Sequence, residues 1–103
     1  MEKWREGETM REVIRFEFPE EIDREATEGR LSLAIVATEC MFGRARVRLN
    51  AAYLMSDDGR KVAVDVSTDV GENIAQLFTG LLIRDMGEEA FSVERAERFL
   101  ETA

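Results

Sequence analysis

The residues of this chain that could do chemistry are carboxylates, arginines and one thiol. The sequence contains no histidine, which removes the commonest general base and the Ser-His and Cys-His nucleophile pairs. The single cysteine, Cys40, falls in an apolar segment, and we expect it to pack in the core, where a thiol is unreactive. The glycines are scattered and form no phosphate-binding motif. The sequence therefore predicts no catalytic residue and no cofactor.

Three carboxylates, Asp65, Asp69 and Glu72, follow one another where a strand is expected to meet a helix. Oxygen ligands at such spacing are weak candidates for holding Mg²⁺ or Ca²⁺. A capping box explains the same residues, with Asp69 as the helix N-cap, Glu72 three positions later and Asp65 paired with a basic neighbour. We favour capping and predict no metal site.

A row of arginines is the sharpest functional feature of the sequence. Arg44, Arg46, Arg48 and Asn50 alternate with small and apolar residues, as on a strand with one basic face. Guanidinium groups in a row could bind an anionic metabolite through its phosphate or carboxylate, or an acidic partner protein. A charge ladder across neighbouring strands is the alternative, and we favour it. The carboxylates that would complete the ladder are Glu17, Asp65 and Glu94.

The same row belongs to the clearest structural signal, a predicted hairpin over residues 44–67. Two alternating runs flank Asp58-Gly59, a dipeptide that tolerates the positive φ angles of a tight turn. The second run, from Val62 to Val66, places β-branched valines on one face, as suits a half-buried strand. We therefore expect both halves of the hairpin to be strands.

Four further elements complete the expected order. Residues 11–18 alternate as a strand that ends at Pro19, and residues 89–94 form a short last strand. Two helices are predicted. One covers Leu31 to Phe42, starts between Asp23 and Arg30 and ends at Gly43; the other covers Val70 to Met86. If residues 31–42 were instead a strand, the chain would be a mostly β meander with one long helix. Residues 95–103 are predicted to form a charged tail with a terminal helical turn.

This order predicts an α+β, ferredoxin-like βαββαβ fold, a four-stranded antiparallel sheet with two helices on one face. Residues 1–10 form a polar N-terminal arm that carries Trp4, and residues 11–103 form a single domain. The residues expected to face the helices are Ile14, Phe16, Val47, Leu49, Tyr53, Val62, Val64, Phe91 and Val93. Those expected on the open face are Arg15, Glu17, Arg44, Arg46, Arg48, Lys61, Asp65 and Glu94.

Composition narrows the classes of partner. The formal net charge is −8, and such a surface repels nucleic acid phosphates. The open sheet face carries no aromatic residue on which RNA bases could stack. The longest apolar run is far too short to span a membrane. One cysteine and no signal-peptide core favour a cytoplasmic location. We therefore expect neither nucleic acid nor a membrane as a partner.

The functional prediction follows from the missing catalytic groups and from excess apolar surface on the last helix. We expect a non-enzymatic domain that acts through protein association, as a homodimer, by the outer side of that helix or by the edge of the sheet. The helix residues expected at the interface are Gly80, Leu82, Ile83 and Met86. The alternative is a module that binds an anionic small molecule on the open sheet face through Arg44, Arg46, Arg48 and Asn50.

Overall fold

A four-stranded sheet with helices packed on one face makes up the α+β structure of this chain, a computed structural model that describes residues 10–99. The strands are β1 (Met10–Glu17), β2 (Tyr53–Met55), β3 (Lys61–Asp65) and β4 (Ser92–Phe99). The α-helices are α1 (Arg24–Phe42), α2 (Arg44–Asn50) and α3 (Asp69–Met86), and a short 3₁₀ turn covers Glu88–Ala90. The predicted N-terminal arm lies outside the described residues, except that Met10 begins β1.

The sheet has the strand order β2-β3-β1-β4, and every neighbouring pair is antiparallel. Strand β1 lies inside the sheet, where Ile14 pairs with Val64 on one side and with Arg95 on the other. The predicted four-stranded antiparallel sheet is thereby confirmed. The element order differs from βαββαβ, because a third helix, α2, lies between α1 and β2.

The core lies between the sheet and the helices. Phe16, Val62 and Val64 share one face of β1 and β3 and are fully or almost fully buried, as their alternation predicts. Phe78 of α3 packs on them, with its ring centroid 4.8 Å from that of Phe16 in an edge-to-face arrangement. Such aromatic pairs stabilise a core beyond the area they bury. The sheet is therefore anchored to the helix layer at its two inner strands.

The arginine row is where the predicted structure is wrong, because residues 44–50 form helix α2 and not a strand. Val47 is buried as expected, but from a helix, and Leu49, predicted to face the core, is 85% exposed. In a segment of seven residues, alternation and helical periodicity fit one buried position equally well. Alanine, arginine and leucine are all strong helix formers, and that propensity decides the outcome here.

The second half of the predicted hairpin is confirmed. Strands β2 and β3 are antiparallel and joined by a tight turn in which Gly59 has φ +76° and donates its amide hydrogen to Ser56 O at 2.9 Å. The Arg60 backbone amide and the Ser56 hydroxyl both donate to Asp58 and hold the pKa of that carboxyl below its ordinary value. Strand β2 has only three residues, so Tyr53, predicted to face the helices, remains nearly half exposed at the sheet edge.

Helix α1 is confirmed over Arg24–Phe42, which removes the alternative of a strand at residues 31–42. It ends at Gly43, whose φ of +93° few other residues adopt and whose amide bonds to Glu39 O. The helix turns one side towards the core through Thr27, Leu31, Ala34 and Thr38. Cys40 lies on another side and is exposed, so the prediction of a core thiol is wrong.

The last strand is longer than predicted. Strand β4 extends over Ser92–Phe99, so the expected helical turn is wrong for residues 95–99, while residues 100–103 lie outside the described part of the chain. The eight residues of β4 pair with β1 along its whole length. Phe91 packs against the core as predicted, whereas Val93 is 45% exposed, because β4 is an edge strand.

Helix α3 begins one residue earlier than predicted, with Thr68 as its N-cap in place of Asp69. The Thr68 hydroxyl accepts a hydrogen bond from the Gly71 amide at 3.0 Å and donates to Asn50 O at 3.4 Å. Thr68 therefore satisfies one free amide of the helix and ties the start of α3 to the end of α2.

Substitution of this cap tests its contribution. We expect Thr68→Ala to lower the free energy of unfolding by about 1 kcal/mol, since the Gly71 amide loses its acceptor. Thr68→Ser keeps the hydroxyl and is expected to cost clearly less. Urea denaturation followed by circular dichroism measures both. Equal losses for the two variants would contradict a capping role for the hydroxyl.

Candidate association surface

Asp65, Asp69 and Glu72, the weak candidates for metal ligands, do not form one site. Asp65 accepts hydrogen bonds from the amide and hydroxyl of Ser67, and Asp69 pairs with Arg46 at 2.7 Å. Glu72 is exposed in the first turn of α3, where a carboxylate interacts favourably with the helix dipole. Within residues 10–99, no group of His, Cys, Asp or Glu side chains is arranged to hold a metal ion.

The predicted arginine row on the open sheet face is also wrong, because Arg44, Arg46 and Arg48 lie on α2. The charge ladder favoured from the sequence is therefore wrong too. Arg46 pairs with Asp69 and stacks over the Phe42 ring at 5.0 Å, and Asn50 donates to Arg46 O. Binding of an anion by these residues stays a prediction. Arg44 and Arg48 are exposed and form no ion pair within residues 10–99.

The open face of the sheet carries charges of both signs. Register places Arg15 opposite Glu94 and Glu17 opposite Lys61, so opposite charges face each other on neighbouring strands. A shallow depression of about 330 Å³ lies beside them and includes the exposed Leu54. Balanced, exposed charges of this kind are typical of a solvated sheet face.

The predicted interface on α3 is only partly at the surface. Leu82 is completely buried in the core, and Met86 is partly buried against it. Gly80 and Ile83 are exposed, and a Cβ added at Gly80 would meet no atom within 4 Å. Leu82 therefore belongs to the core and has no exposed surface to offer a partner, while an interface through Gly80 and Ile83 stays a prediction.

Helices α1 and α3 pack side by side and antiparallel. Arg30 on α1 bonds Asp85 on α3 at 2.9 Å, and near the other end Asn73 on α3 donates to the Thr38 hydroxyl at 3.0 Å. This pairing covers the flank of α1 that carries Arg30 and Thr38. Helix α3 therefore covers one side of α1.

One side of α1 stays uncovered in residues 10–99 although it is apolar. Leu33 is 54% and Val36 is 53% exposed, and Gly29 and Cys40 next to them on the same side are also exposed. These four residues form the outer stripe of α1, and none of them carries a charge. Exposed apolar residues in one patch mark an interaction surface more often than single ones do.

The sequence contained the signal for this surface. Positions 29, 33, 36 and 40 are separated by four, three and four residues, which places them on one helical face without any charged residue. Cys40, which was expected in the core, belongs to this face and is exposed. The burial pattern of α1 shows that its core face is a different one.

Within residues 10–99, no helix has the length and apolar character needed to cross a membrane. Comparison of the sequence with models of known protein families and with curated proteins finds no match.

Proposed function

We propose that this chain is a non-enzymatic domain that works as a homodimer and associates through the outer stripe of α1. The observation that carries the proposal is the exposure of Leu33 and Val36 on an uncharged side of a long helix. Burial of apolar side chains drives association of this kind, and two-fold dimers are the commonest soluble oligomers.

The other surfaces of the described chain are poorer candidates. Edge strand β4 exposes Glu94 and Arg95, and charged side chains on an edge oppose pairing with a second sheet. The opposite edge, β2, has three residues and offers few backbone groups. The open sheet face is lined by charges that already face opposite charges. These features support α1 as the place of contact.

The proposal also includes the fold type and the cellular location. The strand order and the antiparallel pairing support a variant of the ferredoxin-like plan in which α2 replaces most of the second strand.

A single cysteine, exposed on α1, supports a reducing cytoplasmic environment. Since Arg44 and Arg48 are exposed on α2 and not on the sheet, the alternative of a metabolite held on the sheet face loses support, and an acidic protein surface fits them better.

A charge placed in the stripe is expected to separate the two copies. In Leu33→Glu each interface loses a leucine from both subunits and gains two carboxylates that must be desolvated. We expect the dissociation constant to rise about 100-fold, from the loss of roughly 1.5 kcal/mol at each leucine. Sedimentation velocity over a range of micromolar concentrations measures the change.

Leu54→Glu is the matched control, because Leu54 is another exposed leucine but lies on β2 with its side chain on the opposite face of the sheet. It is expected to leave the sedimentation of the chain unchanged. If the unmodified chain is monomeric throughout, the proposed function is wrong. If Leu54→Glu dissociates a dimer that Leu33→Glu leaves intact, the sheet face is the interface.

A further inference from the structure

The geometry of α1 points to one arrangement of the two copies, and this inference rests on the proposed function. We infer that two α1 helices pair antiparallel across a two-fold axis that passes between residues 34 and 35. The partner at the outer stripe is then the same stripe of a second copy, and each copy supplies half of the contact surface.

The first support is the spacing of the uncharged residues. The outer stripe continues at its start with Ala26, so the intervals along it within α1 alternate between three and four residues. This is the heptad spacing with which one helix packs along another. The pattern from Gly29 to Cys40 is symmetric about its midpoint. Antiparallel pairing places Leu33 against Val36 of the second copy and Gly29 against Cys40.

The second support is the size of the paired residues. The two large side chains meet at the centre, while only small residues meet towards both ends, where the helices can approach closely. Gly29 has helical backbone geometry, and a Cβ added there would meet no atom of residues 10–99 within 4 Å. The space beside Gly29 is therefore open to a second helix.

The third support is the charge at the two ends of α1. Acidic residues outnumber basic ones among the exposed residues at and before its first turns, where Glu20, Glu21, Asp23, Glu25 and Glu28 stand against Arg24, which pairs with Glu28. Beyond its other end, Arg44 and Arg48 are exposed on α2 without an ion pair among the described residues. Antiparallel pairing brings each acidic end towards the basic segment of the other copy. Parallel pairing would place the two acidic ends together, which electrostatic repulsion disfavours.

Disulfide formation in the full chain tests this register. In Gly29→Cys the introduced thiol is expected to lie beside Cys40 of the second copy, close enough for an intersubunit disulfide. Mild oxidation should convert most of this variant into a covalent dimer on a non-reducing gel. Peptide mapping by mass spectrometry should find position 29 linked to position 40.

Two controls test whether the disulfide is specific to the antiparallel register. The unmodified chain should give no covalent dimer, since its Cys40 thiols would lie eleven residues apart along the paired helices, roughly 16 Å. Glu28→Cys places a thiol one residue away but off the stripe, and should also give none. A link between the two Cys40 residues would indicate parallel pairing and overturn the inference.

Sedimentation of the same samples separates this inference from the proposed function. If Gly29→Cys sediments as a dimer before oxidation but forms no disulfide between positions 29 and 40, the antiparallel register is wrong and dimerisation stands. If the unmodified chain and the variant both sediment as monomers at all concentrations, both proposals are wrong.

Discussion

Gly71→Ala is expected to destabilise the protein by about 3 kcal/mol or more, an effect far above that of an ordinary glycine substitution. Gly71 lies in the first turn of α3, and a Cβ built there would be 1.9 Å from the carbonyl oxygen of Asp65. The obstacle is backbone at the end of β3, so no side chain can rotate away. Either the helix or the strand must shift, and both belong to the core. Urea denaturation monitored by circular dichroism measures the loss.

Gly80→Ala is the matched control, since Gly80 lies in the same helix with open space at its Cβ. Alanine has the higher helix propensity, so this variant should be more stable by about 0.5–1 kcal/mol. The two substitutions are chemically identical and differ only in surroundings. A loss below about 1 kcal/mol for Gly71→Ala would show that α3 does not approach β3 as closely as described.

Phe78→Ala is expected to cost about 3–5 kcal/mol, the range for a large side chain removed from a closed core. Phe78 has no exposed surface, and its ring contacts Phe16 at 4.8 Å and Phe18 at 6.4 Å between centroids. Its loss leaves a cavity bounded by α3 and the two inner strands. Domains of this size have about 5–15 kcal/mol of stability, so the variant should unfold at much lower urea concentration.

Phe78→Leu retains most of the buried volume and is expected to cost about half as much or less, since a smaller cavity remains. Comparison of the urea midpoints of the two variants shows whether stability depends on the buried volume of side chain 78 or falls with any substitution of Phe78. Equal losses, or a loss for Phe78→Ala below about 1.5 kcal/mol, would contradict the central place of this ring in the core.

The regular part of the fold could be predicted from the sequence because long segments repeat their pattern many times. Strand β1 and the valines of β3 show a clear period of two residues and bury Phe16, Val62 and Val64 as expected, although β1 also buries Val13 from its other face. Helix α3 shows a clear period of 3.6 residues, although its buried face includes Leu82, which was expected at an interface. Glycines with positive φ mark the ends of α1 and α3, at Gly43 and Gly87, as expected for helix termini.

The arginine row could not be predicted by alternation, because its seven residues bury one side chain, Val47. One buried side chain cannot distinguish a strand period of two residues from a helix period of 3.6 residues. The high helix propensity of alanine, arginine and leucine favours a helix over residues 44–50, and a helix here does not place the predicted anion site on the sheet face. For α1 the sequence correctly predicts a helix, but it does not predict which side of that helix faces the core. Cys40 and Leu33 are as apolar as Leu31, and only the position of α3 and the sheet determines which side is covered.

The order of the strands has a consequence for synthesis on the ribosome. Strand β1 emerges first, yet both of its neighbours come much later, and its Ile14 pairs with Arg95 of the last strand. Until β4 has been translated, one edge of β1 stays unpaired, and until α3 has been translated Phe16 on its core face lacks its partner Phe78. Contacts between such distant segments slow folding and prolong exposure of unpaired strands. The nascent chain therefore depends on its last quarter to bury its first strand.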